Sequence, residues 1–249
     1  MYEYFLRGWE YFWIYTKEAN VQARQMFERA IELDPEYATA YAWLGYTYLV
    51  DRVWQWSQDP QALERAFELE QKALALDDSL PLAHVVLGNV YLWKDRQYDQ
   101  AIAEAERAIA LDPNDADNYV TLGNMLTAAG RLEEAIESVK KALRLNPHYP
   151  GAWPLFSLGL AYRLTGQYEE AMATQKKALT RNPNYLGAHF ELAILYSELG
   201  REEEARAEAA EVLRISPNCS LEVWRQSLPS KDQAGLERDL AALRKAGLK

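Results

Sequence analysis

Residues 116–147 read ADNYVTLGNMLTAAGRLEEAIESVKKALRLNP, and within them runs a ladder: Tyr119, Leu122-Gly123, Leu126, Gly130, Ala135, Ala142 and Pro147. Ala116 to Ala129 reads as one helix, Gly130 as the turn, and Leu132 to Leu145 as a second helix. Pro147 lies just beyond, where it cannot continue helical bonding and forces the chain to turn. The ladder returns in five consecutive stretches at a spacing of 34 residues or slightly more. A fixed period of this length means a stacked array in which each unit touches its neighbours, not a globule around one centre.

Working outward from this copy, the chain divides into six units, 1–37, 38–80, 81–115, 116–151, 152–185 and 186–219, followed by a helical cap at 220–249. Pro35, Pro113, Pro183 and Pro217 match Pro147, whereas the second unit has Asp78 there and turns through Asp77-Asp78-Ser79. Gly45, Gly88, Gly123 and Gly159, with Ala193 in the sixth unit, let the paired helices approach closely, as do Ala66, Ala101, Ala135, Ala171 and Ala205 from the second helix. The first unit has three extra residues, with Thr16 as the expected cap of its second helix. The second has nine around Val53–Pro60, where Asp59 reads as a cap and Pro60 as the first helical residue. A single extra residue lies near Asp95-Arg96. Ser220 to Leu228 reads as a short helix carrying Trp224. Asp232 to Ala246 reads as an amphipathic capping helix with Leu236, Leu240 and Leu243 on its apolar side and Gly247 at its end.

The ladder resembles the tetratricopeptide repeat. That resemblance implies an all-α fold, a right-handed α-solenoid of about six helix pairs, in which first helices line a concave groove and second helices form the convex back. Charge agrees with such a division. The second helix of the fourth unit carries Glu133, Glu134, Glu137, Lys140, Lys141 and Arg144, and Thr39 to Val50 carries no charge.

The 249 residues are 49% hydrophobic and carry a net charge of −10. The negative balance and the lack of a basic stripe argue against nucleic acid and favour a basic or neutral partner. One cysteine, Cys219, leaves no intramolecular disulfide or thiolate cluster to form. No run approaches the roughly 18 apolar residues of a membrane span. The N-terminal aromatics are interrupted by Glu3, Arg7 and Glu10, unlike a signal peptide, and a cytoplasmic location is expected.

First-helix positions not used by the ladder are apolar to an unusual degree, and they are the expected contacts of a partner. They are Phe5, Trp9 and Trp13; Trp43 and Tyr46; Val86, Asn89 and Trp93; Asn124; Trp153, Phe156 and Leu160; Phe190 and Ile194. Trp54 and Trp56 add a loop contact from the insertion. Aromatic anchors give large contact area at low ordering cost. Asn89 and Asn124 occupy equivalent positions, suited to bonding an extended backbone. In repeats that clamp a peptide carboxylate the groove is cationic. Here Arg163 is the lone candidate, so that mode is not expected. The helix from Tyr2 to Tyr15 lacks the broad polar face of a terminal repeat, and self-association through it, or docking of an upstream domain on it, is the second expectation.

His84 and His189 fall where Tyr41 and Tyr119 pack, which reads as structural, and His148 lies in a turn. HExxH, phosphate-loop and GxSxG patterns are absent from the sequence, and the acid runs lie on solvated helices. Neither catalysis nor a metal or other cofactor is expected. Tyr4-Phe5-Leu6-Arg7-Gly8, Ala23 to Ala30 and Leu243 to Leu248 look like the C-terminal repeat region of bacterial adenylate/guanylate cyclase-type signalling proteins, a region that also follows winged-helix regulators. That resemblance implies a regulatory or docking module without the cyclase's own catalytic residues.

Overall fold

The computed structural model describes residues 1–57, 59–226 and 228–249. Gln58 of the expected insertion and Ser227 of the expected 220–228 helix therefore lie outside the described residues. Among those described there are fourteen α-helices and no strand, in two compact units, Met1–Asn114 and Asp115–Lys249. The first holds α1 (Tyr2–Phe12), α2 (Lys17–Leu33), α3 (Ala38–Val53), α4 (Ala62–Leu76), α5 (Pro81–Asp95) and α6 (Tyr98–Leu111). The second holds α7 (Ala116–Ala129), α8 (Leu132–Leu145), α9 (Trp153–Leu164), α10 (Tyr168–Arg181), α11 (Leu186–Glu198), α12 (Glu202–Ile215), α13 (Leu221–Gln226) and α14 (Gln233–Ala246). Within each unit helices pair with their sequence neighbours, and first helices meet one another: α3 touches α1 and α5, and α9 touches α7 and α11.

Small residues make that pairing possible. Ala66, Ala101, Ala135 and Ala171 are wholly buried. A Cβ placed on Gly123 would overlap Val139 Cγ2, and one on Gly159 would come within 2.6 Å of Gln175 Nε2. α7 starts at Asp115, whose carboxylate accepts from Asp117 N at 2.9 Å, and stops at Gly130, left-handed at φ +81°. Arg96, the extra residue of the third pair, takes that left-handed role for α5 with φ +53°.

The turns after second helices owe as much to the residue before proline as to proline itself. Asp34, Asp112 and Asn182 each accept, through the side-chain oxygen, the N–H two residues on. Asp77 does the same for Ser79 N at 3.0 Å, which explains how the second pair turns without a proline. Thr16 caps α2 by accepting from Ala19 N at 3.2 Å. Asp59 does not cap α4 directly: it accepts from Gln61 N, and α4 begins only at Ala62. Pro60 therefore belongs to the turn and is not the first helical residue.

The second unit ends in a cap. Asp232 accepts from Gly235 N at 2.8 Å to start α14, and Gly247 ends it at φ +110°. Leu236, Leu240 and Leu243 join the apolar cluster of α11, and the Trp224 ring stacks on Phe190 at 5.4 Å. α13 covers Leu221–Gln226, and Leu228 of the expected helix is not helical.

Candidate functional site

The first unit concentrates its rings on one side of its first helices. Phe12, on α1, is the buried hub, 5.1 Å from Trp43, 4.8 Å from Tyr46 and 5.7 Å from Trp13. Phe27 of α2 lies beneath, 5.7 Å from Phe5 and stacked on Trp43 at 6.1 Å. Phe5, Trp43 and Tyr46 are consequently half-buried, holding one another in place. Trp9 and Trp13 stand outside this layer, 6.1 Å apart edge to face, and are 44% and 52% exposed. Trp93 is half-buried against the cluster of Leu49, Leu63, Val86 and Val90.

Two connections that are distant in sequence come together beside these rings. Tyr15, after α1, lies 6.0 Å from Trp54 and 6.4 Å from Trp56, and the two indoles stack at 6.4 Å. Tyr15 and Gln55 are left-handed at φ +59° and +54°, a costly conformation for residues with side chains. The extra residues thus place an exposed Trp54 and a half-buried Trp56 in one aromatic group.

Three expected contacts are corrected. Val86 and Ile194 are wholly buried, and Phe190 is 6% exposed. α3 and α4 cover Val86, while Trp224 and the cluster containing α14 cover Phe190 and Ile194, so all three are packing residues. Asn89 spends an amide N–H on Val85 O of its own helix at 2.9 Å. Asn124, Trp153, Phe156 and Leu160 are half-buried, with Phe156 5.5 Å from Tyr185.

Several polar groups are tied into the scaffold in ways the sequence did not announce. Arg163 lies under the cap, donating to Glu191 at 2.7 Å and to Asp239 at 2.8 and 2.9 Å, with Glu198 at 3.7 Å. Burial works against its charge, but the facing carboxylates outweigh it and raise its proton affinity further. It is a structural tie between α9, α11 and α14, not a groove cation. Asn20 and Arg24 of α2 similarly hold buried Asp51 and the Thr47 carbonyl of α3. His84 bonds Glu104 at 2.6 Å and the Asp78 carbonyl at 3.2 Å. His189 repeats the arrangement with Glu208 at 2.6 Å and Pro183 at 3.0 Å. The carboxylate hydrogen bond raises each histidine above its ordinary pKa although burial opposes it. Among the described residues, no group of three or more histidine, cysteine or acidic side chains is arranged to hold a metal ion, and no helix is long and apolar enough to cross a membrane.

Comparison with known proteins accords with this architecture. Family descriptions for the tetratricopeptide repeat match residues 82–115, 114–184 and 162–225. Over 84 residues the chain is 36% identical to putative adenylate cyclase 3 of Rhizobium meliloti (strain 1021), covering 33% of this chain and 14% of that protein. It spans 9% to 15% of the length of the curated relatives it matches. The solved structure of YrrB, described as a TPR protein with an unusual peptide-binding site, shares 26% identity at a TM-score of 0.50, over 77% of this chain and 93% of YrrB. The Cut9–Hcn1 assembly of the APC/C shares 20% identity at a TM-score of 0.71, over 92% of this chain and 39% of the other, a likeness of fold. Recurrent helix pairs, glycine and alanine contacts between them, and three matching repeat descriptions make this chain a member of the tetratricopeptide repeat family.

Proposed function

We propose that this chain is a non-catalytic protein-interaction scaffold that receives an apolar or basic peptide or helix on the aromatic surface of its first unit. The observation that carries the reading is the exposure of Trp9, Trp13 and Trp54 beside a layer of rings that is already packed. The scaffold has thus satisfied its own core and still presents indoles to water, the usual mark of an interaction patch. Phe5, Trp43, Tyr46, Asn89, Trp93 and Trp56 form the half-buried floor and rim of that surface. Asn124, Trp153, Phe156 and Leu160 are the corresponding positions proposed in the second unit.

Tetratricopeptide proteins generally mediate protein contacts, and YrrB is described as binding peptide. The adenylate cyclase likeness supports a regulatory module within a larger bacterial signalling protein, acting in the cytoplasm. Selection from a displayed peptide library, followed by titration on tryptophan emission, tests the reading. Trp54→Ala is expected to weaken the selected peptide about tenfold or more with an unchanged melting temperature, as truncation of an exposed anchor does. Equal affinity of the variant and the parent for every selected peptide overturns it. The second reading, self-association through α1, is favoured by the exposed side chains of that helix and is tested by sedimentation equilibrium.

A further inference from the structure

The large exposed residues of α1 are not scattered. Tyr2, Leu6 and Trp9, with Trp13 at the C-cap, follow one another at intervals of four, three and four, which sets them in a single stripe along the helix and its end. They are 62%, 40%, 44% and 52% exposed. Phe5, Gly8 and Phe12 lie on the adjoining side, where Gly8 approaches Phe27 and Phe12 forms the aromatic hub. α1 therefore has two apolar faces, of which its own unit fills one.

The repeat itself says what kind of object fits the other. Aligned on the first-helix small residue, the counterparts of Leu6 in the later pairs are Trp43, Val86, Thr121, Ser157 and Glu191. The last four of these are buried. In the third, fifth and sixth pairs, a helix of the preceding pair in the same unit lies alongside. The uncovered stripe on α1 has the spacing and position of a helix-packing seam.

Charge decides which helix fits. Glu3 and Glu10 lie along the edge of the seam away from the core, and Arg7, the base of this helix, is engaged with Glu3 at 2.8 Å. A second copy packed antiparallel across a twofold axis would set the Glu3–Glu10 edge against itself. The unit as a whole repels another acid: residues 1–114 hold 19 acidic and 10 basic side chains. We propose that the Tyr2–Leu6–Trp9–Trp13 seam docks an amphipathic helix of a partner protein whose apolar stripe is flanked by lysine or arginine. This rests on the scaffold reading above, and it places the partner along Tyr2, Leu6 and Trp9, with Trp13 reaching back to Phe12 and Trp43 at 5.7 and 6.3 Å.

The test uses the full chain and two synthetic three-heptad helices without aromatic residues, one with leucine at a and d and lysine at e and g, the other with glutamate at e and g. The lysine helix is expected to shift tryptophan emission to the blue saturably and to bind about tenfold more tightly than the glutamate helix, with the gap closing in high salt. Leu6→Glu should abolish the shift while Trp54→Ala leaves it. The double variant Glu3→Lys, Glu10→Lys should reverse the preference, with circular dichroism melts confirming that each variant folds. A preference that survives the double reversal means that net charge alone attracts the peptide, and the proposal falls. Binding lost in Trp54→Ala and kept in Leu6→Glu leaves the scaffold reading standing and overturns the seam. Failure of both helices and of every library peptide overturns both. A dimer that Leu6→Glu dissociates assigns the seam to a second copy, which also overturns the proposal.

Discussion

Glu70 occupies the helix-pairing position of α4 at which the fifth pair has Gln175. Both side chains fill the space over a first-helix glycine, Gly45 or Gly159. Gln175 donates from Nε2 to the Phe156 carbonyl at 3.1 Å, whereas both Glu70 oxygens are buried with no hydrogen-bond partner. Burial accordingly pushes the Glu70 carboxyl well above the usual range. Glu70→Gln supplies the donor that the fifth pair already uses, and it is expected to stabilise the protein by roughly 1–3 kcal/mol at neutral pH. The sign follows from the raised pKa: the acid form is tolerated at low pH and its loss costs stability as pH rises, so the gain should shrink on acidification. Thermal melts at pH 5 and pH 8 check this, and a variant less stable than the parent at pH 8 refutes it. Gly123→Ala is the opposite case, an overlap with Val139 expected to cost about 1–3 kcal/mol by chemical denaturation. The need for a glycine at 123 was readable from the ladder. The burial of an unpaired acid at 70 was not, because an isolated Glu in a charged second helix looks like any solvated one.

At the scale of elements, two ties repeat or close the stack. His84 and His189 each link a first helix to the following second helix and to the preceding turn. Their folded pKa values lie above the ordinary one, so their contribution is complete below about pH 6.5 and is lost as pH rises through the raised value. The melting temperature of the parent should therefore fall relative to that of His84→Asn, His189→Asn between pH 6 and 8. Parallel curves would show that the histidines do not titrate with folding. The sequence placed these residues as structural but gave no partners, since Glu104 and Glu208 lie 20 and 19 residues away. Arg163 joins three helices under the cap, and Arg163→Ala leaves buried Glu191 and half-buried Asp239 without their cation. A loss of about 3–5 kcal/mol is expected. Tryptophan emission from Trp224 should shift red before the helical signal is lost if the cap detaches first. Simultaneous change would mean that the second unit unfolds as one.

For the whole molecule, charge is unevenly shared: residues 115–249 hold 18 acidic and 17 basic side chains, against 19 and 10 in residues 1–114. Self-repulsion should therefore weigh on the first unit. Raising sodium chloride from about 0.01 M to about 0.15 M shortens the screening length from about 30 Å to about 8 Å. The fluorescence-detected transition is dominated by the first unit, which holds Trp9, Trp13, Trp43, Trp54, Trp56 and Trp93. It should rise in temperature more than the helical signal of the full chain. An equal rise in both would place the repulsion elsewhere.

The periodicity of small and apolar residues determined the helix pairs and their turns, because each depends on contacts within a few dozen residues and repeats in register, whereas the capping helix was legible as an apolar stripe but its tie to Arg163, 76 residues away, was not. Which ring is wall and which is surface depended on the tertiary structure. Trp43, Val86 and Leu6 share one register position, two residues before the first-helix glycine, yet the first is half-buried, the second sealed and the third exposed. That difference comes from what neighbouring helices lay over each position. The meeting of Tyr15 with Trp54 and Trp56 across some 40 residues likewise exists only once the chain has folded.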